Sequence, residues 1–167
     1  TATTASRLRL LELEREGPPP AGGPTSVAMD LSGLLQGIER APSFSRLREA
    51  VAAERAQTGG RLPGLVIGVG DAAKAAAIAV LAGAADGPLL VVAPREDRAE
   101  ALLEELSAWL GEGAPLVPFP QRDSLPYERL APDPEAVRDR LTAVSRLAAG
   151  GRCVVVTSAM ALAQGTL

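Results

Sequence analysis

The chain has 167 residues, room for one domain of roughly 100–150 residues with tails. Apolar residues make up 47% and aromatics only 2%, so Ala, Val, Leu and Ile must build the core. Seventeen basic against 20 acidic side chains give a net charge of −3, which argues against a dedicated nucleic-acid-binding module with a basic face.

Histidine is absent, which excludes His-based catalysis and His metal ligation within the chain. One cysteine, Cys153, excludes an internal disulfide framework. Its neighbours Val154-Val155-Val156 mark a buried, inert thiol. No apolar run reaches the roughly 18 residues of a membrane span, and no charged-then-apolar leader opens the chain. The pattern reads as cytoplasmic.

Residues 1–28 read as an extension and linker. Leu8, Leu10, Leu11 and Leu13 suit a short helix, and Gly17 to Pro24 then breaks regular structure. Met29 starts a new pattern, either as the natural start or as an internal residue of a longer protein. Residues 29–167 read as one α/β domain, a piece of something longer.

Helix and strand signals alternate from there. Ser43 is placed to cap a helix with Phe44, Leu47 and Val51 on one face, ended by Gly59-Gly60. Leu65-Val66-Ile67 reads as a short buried strand, and Ala72 to Ala82 as a helix. Leu89 to Val92 reads as a second strand stopped by Pro94. Glu96 to Leu110 sets Ala99, Leu102, Leu103, Leu106 and Leu110 on one helical face, with Trp109 at the core rim. Leu116 and Val117 make a third strand before Pro118.

Asp133-Pro134-Glu135 is a strong helix start: a capping carboxylate, Pro at the first position, then an acid near the positive helix end. Val137, Leu141, Val144 and Leu147 form that helix's apolar stripe, and Gly150-Gly151 stop it. Cys153 to Val156 is a fourth strand, with Ser158 placed to cap a last helix. Strands alternating with helices predict an open, mostly parallel sheet with helices on both faces.

The turn after the first predicted strand is where such a domain binds phosphates. It reads Gly68-Val69-Gly70-Asp71-Ala72-Ala73-Lys74-Ala75. Gly68 and Lys74 fall in register with the phosphate-loop pattern G-x-x-x-x-G-K-[ST]. Ala73 replaces the second Gly. Ala75 replaces the hydroxyl residue, and a methyl cannot ligate Mg²⁺, which demands oxygen. Asp71 adds a carboxylate that repels a triphosphate. A dinucleotide G-x-G-x-x-G also fails at Ala73. The prevailing reading is a tight turn capped by Asp71, a phosphate loop that has lost its chemistry. The alternative is a phosphate-loop-type nucleotide-binding enzyme with an atypical loop. Glu104, Glu105 and Glu112 read as a solvated face, and Arg138, Asp139, Arg140 and Arg146 as salt-bridged surface.

The stretch from Pro118 to Leu141, proline-rich along its first half, holds Phe119 and Tyr127, two of the four aromatics. A loop of that composition is a shaped surface rather than a slack connector. The series Phe119-Pro120, Leu125-Pro126-Tyr127-Glu128, Pro132, Arg140-Leu141, Val154 to Val156 and Ala161-Leu162-Ala163-Gln164 resembles the N-terminal part of the bacterial transcription-repair coupling factor family, Mfd. Met29 to Leu35 also looks like a family start. Gln121-Arg122-Asp123 departs from the Asp-Trp-Glu-like triplet of many members.

The resemblance implies a RecA-like domain similar to the excision-repair protein UvrB, with a degenerate nucleotide site and no cofactor of its own. It implies a parent that is an ATP- and Mg²⁺-dependent translocase on double-stranded DNA. That parent displaces stalled RNA polymerase and recruits UvrA. Phe119 and Tyr127 are then anchors that fix the loop over the sheet.

Overall fold

The computed structural model describes residues 29–58, 64–122 and 133–164. The extension over 1–28, the Gly59-Gly60 stop, and Leu125, Pro126, Tyr127 and Glu128 of the motif loop lie outside them.

Two helices come first, α1 (Ser32–Glu39) and α2 (Pro42–Thr58). Asp30 Oδ1 accepts the Ser32 N–H at 2.9 Å, and the Leu31 N–H donates to Ala108 O at 2.8 Å, which pins the entry of α1. α2 begins at Pro42, so Ser43 lies inside the helix rather than capping it. Pro is favoured at a first helical position, where its missing N–H costs nothing.

A 3₁₀ turn (Asp71–Ala73) then leads into α3 (Lys74–Ala84). Next come β1 (Leu89–Ala93), α4 (Glu96–Leu110), β2 (Leu116–Phe119), α5 (Pro134–Ala149), β3 (Val154–Ser158) and α6 (Ala159–Ala163).

The three strands are all parallel, in the order β1-β3-β2. Leu89 and Leu116 both sit opposite Val154. β3 is central and buried along its whole length, as a strand covered on both faces must be. β2 runs two residues further than the pattern predicts and includes Pro118 and Phe119. Proline is tolerated there because β2 is an edge strand.

Strand alternation splits the core in two. On one face Val154 and Val156 pack with Ala93, with Ala75 and Ala79 of α3, and with Ala99, Leu102 and Leu106 of α4. On the other, Val155 and Cys153 pack with Val117, Phe119, Ala143 of α5 and Ala161 of α6. The open parallel sheet with helices on both faces is therefore present. Leu106 and Val155 are fully buried, each worth about 1.5–3 kcal/mol over exposure. Cys153 is buried and free, and Trp109 packs at the rim of the first cluster.

Two further expectations fail. Leu65-Val66-Ile67 pairs with no strand of the described sheet, and Val66 is 96% exposed. An apolar β-branched run is a strand only when a neighbour completes its ladder, and none does here. The stripe of α5 is also rotated. Arg140 and Ala143 are its buried residues, with Leu147 packed beside them, while Val137, Leu141 and Val144 are exposed.

The caps of α5 and α6 form as the sequence predicts. Asp133 accepts the N–H groups of Glu135 and Ala136 at 3.1 and 3.3 Å. Gly150 closes α5 at φ +68°, a left-handed conformation that favours glycine. Ser158 Oγ accepts the Ala161 N–H at 3.1 Å.

Candidate functional site

A phosphate loop needs a strand, a backbone cradle and a hydroxyl aimed at the metal. The segment ahead of the 3₁₀ turn is not a strand. A Cβ placed on Gly68 or Gly70 meets nothing within 4 Å, so nothing packs closely against these glycines. Neither has a positive φ.

Asp71 does not cap the turn: Gly70 holds the N-cap position, with no side-chain cap bond. Instead Lys74 Nζ donates to Asp71 Oδ1. That hydrogen bond, then the lysine's charge, lowers the Asp71 carboxyl below its ordinary value. Lys74 is thus engaged by a carboxylate of its own turn. Ala75, where the metal-binding hydroxyl would stand, is 2% exposed inside the first core cluster. It belongs to the same buried cluster as Ala79, Ala99, Leu102 and Leu106.

A second constellation lies at the C-terminal ends of β2 and β3. Arg140, on α5, is 2% exposed. Its guanidinium donates to Pro120 O at 2.8 Å, Gln164 O at 2.7 Å and Ala161 O at 3.3 Å. It also lies 4.0 Å from the centroid of the Phe119 ring, a cation–π contact strengthened by loss of water. Burial, then the charge of Arg122, lowers its pKa, while Glu96 opposes the shift.

The same loop is held from three other directions. Glu96 Oε1 accepts the Gln121 N–H at 2.9 Å, and Gln164 Oε1 accepts the Arg122 N–H at 2.7 Å. Thr157 Oγ1, buried, donates to Phe119 O at 2.9 Å. The other Glu96 oxygen is buried with no hydrogen-bond partner among the described residues.

Arg140 joins three carbonyls from two separate segments: Pro120 of the motif loop, and Ala161 and Gln164 at the end of α6. A planar fork of five N–H donors suits that task, where a lysine would supply one point charge. Arg140 ties the first residues of the motif loop to α5 and α6, while Glu96 and Thr157 tie them to α4 and β3.

The structure brings Phe119 and Pro120 together with Arg140, and leaves Gly68, Gly70 and Lys74 in a separate, open turn. The pattern of charges placed Arg140 on the surface, which is a miss. Arg140 lies four residues after Ala136 and three before Ala143, small residues that leave room for a long side chain on that face. That spacing is the available signal. Thr157, Glu96 and Gln164 carried none. Glu104 and Glu112 are exposed as expected, and Glu105 pairs with Arg98 at 3.0 Å. Arg138 pairs with Glu135 and Asp139 on the surface. No group of three or more Cys, Asp or Glu side chains suited to a metal ion occurs among the described residues, and no described helix is long and apolar enough to cross a membrane.

Comparison with known proteins supplies the remaining observation. No protein-family model matches the chain. It is 40% identical over 90 residues to a transcription-repair-coupling factor of Myxococcus xanthus, spanning 51% of this chain and 8% of that protein. It is 33% identical over 128 residues to the transcription-repair-coupling factors of Mycobacterium bovis and Mycobacterium tuberculosis. Those matches span 77% of this chain and 10% of each relative. The chain thus spans about a tenth of the length of the relatives it matches.

Proposed function

This chain belongs to the transcription-repair-coupling factor family, and from that premise we propose that it is a non-catalytic, UvrB-like scaffold domain of a longer coupling factor. Its fold is a degenerate RecA-like domain that no longer handles nucleotide. The parent is an ATP- and Mg²⁺-driven translocase on double-stranded DNA that displaces stalled RNA polymerase in the cytoplasm. This domain supports the module that recruits UvrA. The domain itself takes no cofactor.

One observation carries the reading: the position that must present a metal-binding hydroxyl is a methyl in the hydrophobic core, at Ala75. The Asp71–Lys74 pair supports it, because the cation a phosphate would need already has a carboxylate. The Arg140 node supports the scaffold role. A loop held by Arg140, Glu96, Gln164 and Thr157 is pre-organised, and pre-organisation lowers the cost of docking.

The test is capture of purified UvrA by this chain and by a polypeptide extended downstream of Leu167. The extended polypeptide retains UvrA, and Arg140→Ala in it weakens retention. Equal and undetectable capture by both contradicts the recruiting role.

A further inference from the structure

Two grooves among the described residues have apolar linings and opposite charge. One runs along α5, over the exposed Val137 and Leu141, and is lined by Arg138 and Arg146. The other, of about 1030 Å³, lies between the entry to α1, the C-terminal half of α4 and β2. Leu103, Leu110 and Leu116 line it, partly buried against the first core cluster. Its charged lining residues are Asp30, Glu104 and Glu112, all exposed acids. None of the three is ion-paired to a described residue. An apolar floor with an acidic rim suits a leucine-rich segment that carries arginines.

The chain holds such a segment ahead of Met29. It reads Arg7-Leu8-Arg9-Leu10-Leu11-Glu12-Leu13, and residues 1–11 contain Arg7 and Arg9 but no acid. Leu8 and Leu11 stand three apart, as do Leu10 and Leu13, the spacing of neighbours on one helical face.

The tether says where that segment can act. Met29 itself lines the acidic groove. The chain is pinned there, because the Leu31 N–H donates to Ala108 O at 2.8 Å and Asp30 Oδ1 accepts the Ser32 N–H at 2.9 Å. The contact is close: a Cβ on Gly111, which ends α4 at φ +78°, would meet Ser32 Cβ at 3.2 Å. The 15 residues 14–28 join the leucines to this point. A coil of that length has a root-mean-square span of roughly 20 Å. A segment so tethered has an effective concentration on the order of millimolar at a groove that starts at its own attachment. The groove along α5 is the poorer match. α5 packs on the second face of the sheet and α4 on the first, and Arg138 and Arg146 repel Arg7 and Arg9.

We propose that Arg7 to Leu13 folds back on the domain as a strap. Its leucines cover Leu103, Leu110 and Leu116, and Arg7 and Arg9 face Asp30, Glu104 and Glu112. Any other basic, leucine-bearing polypeptide gains this groove only by displacing the strap. Nothing in the contact requires the coupling-factor role.

The experiment is maleimide labelling of Ser107→Cys, a near-isosteric change at an exposed position on the groove, in the full 167-residue chain. Native Cys153 is buried and serves as a slow background, and Ala52→Cys on the exposed side of α2 is the control. Both are also made in a chain carrying Leu8→Gln, Leu10→Gln, Leu11→Gln and Leu13→Gln together, changes that lie outside the described fold. With the native leucines the Ser107→Cys thiol labels about tenfold more slowly than with the glutamines, as for a group released only by local opening, while the control is the same in both. Adding Glu104→Lys and Glu112→Lys to both chains shrinks that ratio. Equal labelling with leucines and glutamines overturns the proposal. So does a ratio that grows with protein concentration, because a second copy is then the occupant. A ratio unchanged by the two charge reversals overturns the pairing of Arg7 and Arg9 with the acidic rim.

Discussion

The turn at Gly68 to Ala75 and the node at Arg140 differ in how their charges are used. In the turn, Lys74 is half-exposed and answered by Asp71 three residues away, in water. At the node, Arg140 is buried, answered by backbone carbonyls 20 to 24 residues away in sequence, and stacked on Phe119. A solvated local pair is screened by water and contributes little. A buried cation that satisfies carbonyls is worth more, and removing it leaves those carbonyls unpaired at about 1–3 kcal/mol. The buried cation thus holds a loop, while the solvated one faces a carboxylate of its own turn.

That contrast can be broken by mutation. Arg140→Ala removes the fork and opens a cavity, and should cost about 3–5 kcal/mol, read by urea denaturation. A loss below about 0.5 kcal/mol, the usual range for surface changes, would return Arg140 to the surface. Ala75→Thr enlarges a side chain inside the first core cluster and buries a hydroxyl. It should cost about 1–3 kcal/mol by overpacking and lower the melting temperature. The double variant Ala73→Gly, Ala75→Thr should lose stability and gain no ATPase turnover. Appreciable turnover would mean that the turn is less degenerate than its geometry implies.

Asp133→Ala removes the cap of α5 and should cost about 1 kcal/mol. Lys74→Ala should change stability by no more than about 1 kcal/mol. The smallest effect is that of Asp71. Its carboxyl is lowered from 3.8 by Lys74, so its contribution is present above 3.8 and is lost as pH falls through its lower folded value. Asp71→Asn should flatten that acid limb slightly, and a nuclear-magnetic-resonance titration should place the Asp71 midpoint below 3.8.

Local signals were legible where local chemistry decides. The Asp133-Pro134-Glu135 start, the Gly150 stop and the Ser158 cap each satisfy backbone groups within a few residues. The Ala99-Leu102-Leu106 face also follows from spacing alone. Signals failed where a distant partner decides. Leu65 to Ile67 has strand composition, but no described strand pairs with it. α5 turns Arg140 inward and Leu141 outward because Phe119, Pro120 and Gln164 supply the partners Arg140 needs, and they lie far away in sequence. The departure from the phosphate-loop pattern at Ala73 and Ala75 was legible in the sequence itself. That Ala75 belongs to the core required the fold.

The most direct test of the scaffold account is isothermal calorimetry of Mg²⁺-ATP into the chain. The account predicts no saturable heat, and no difference between the native chain and Lys74→Ala. Micromolar binding abolished by Lys74→Ala would contradict it.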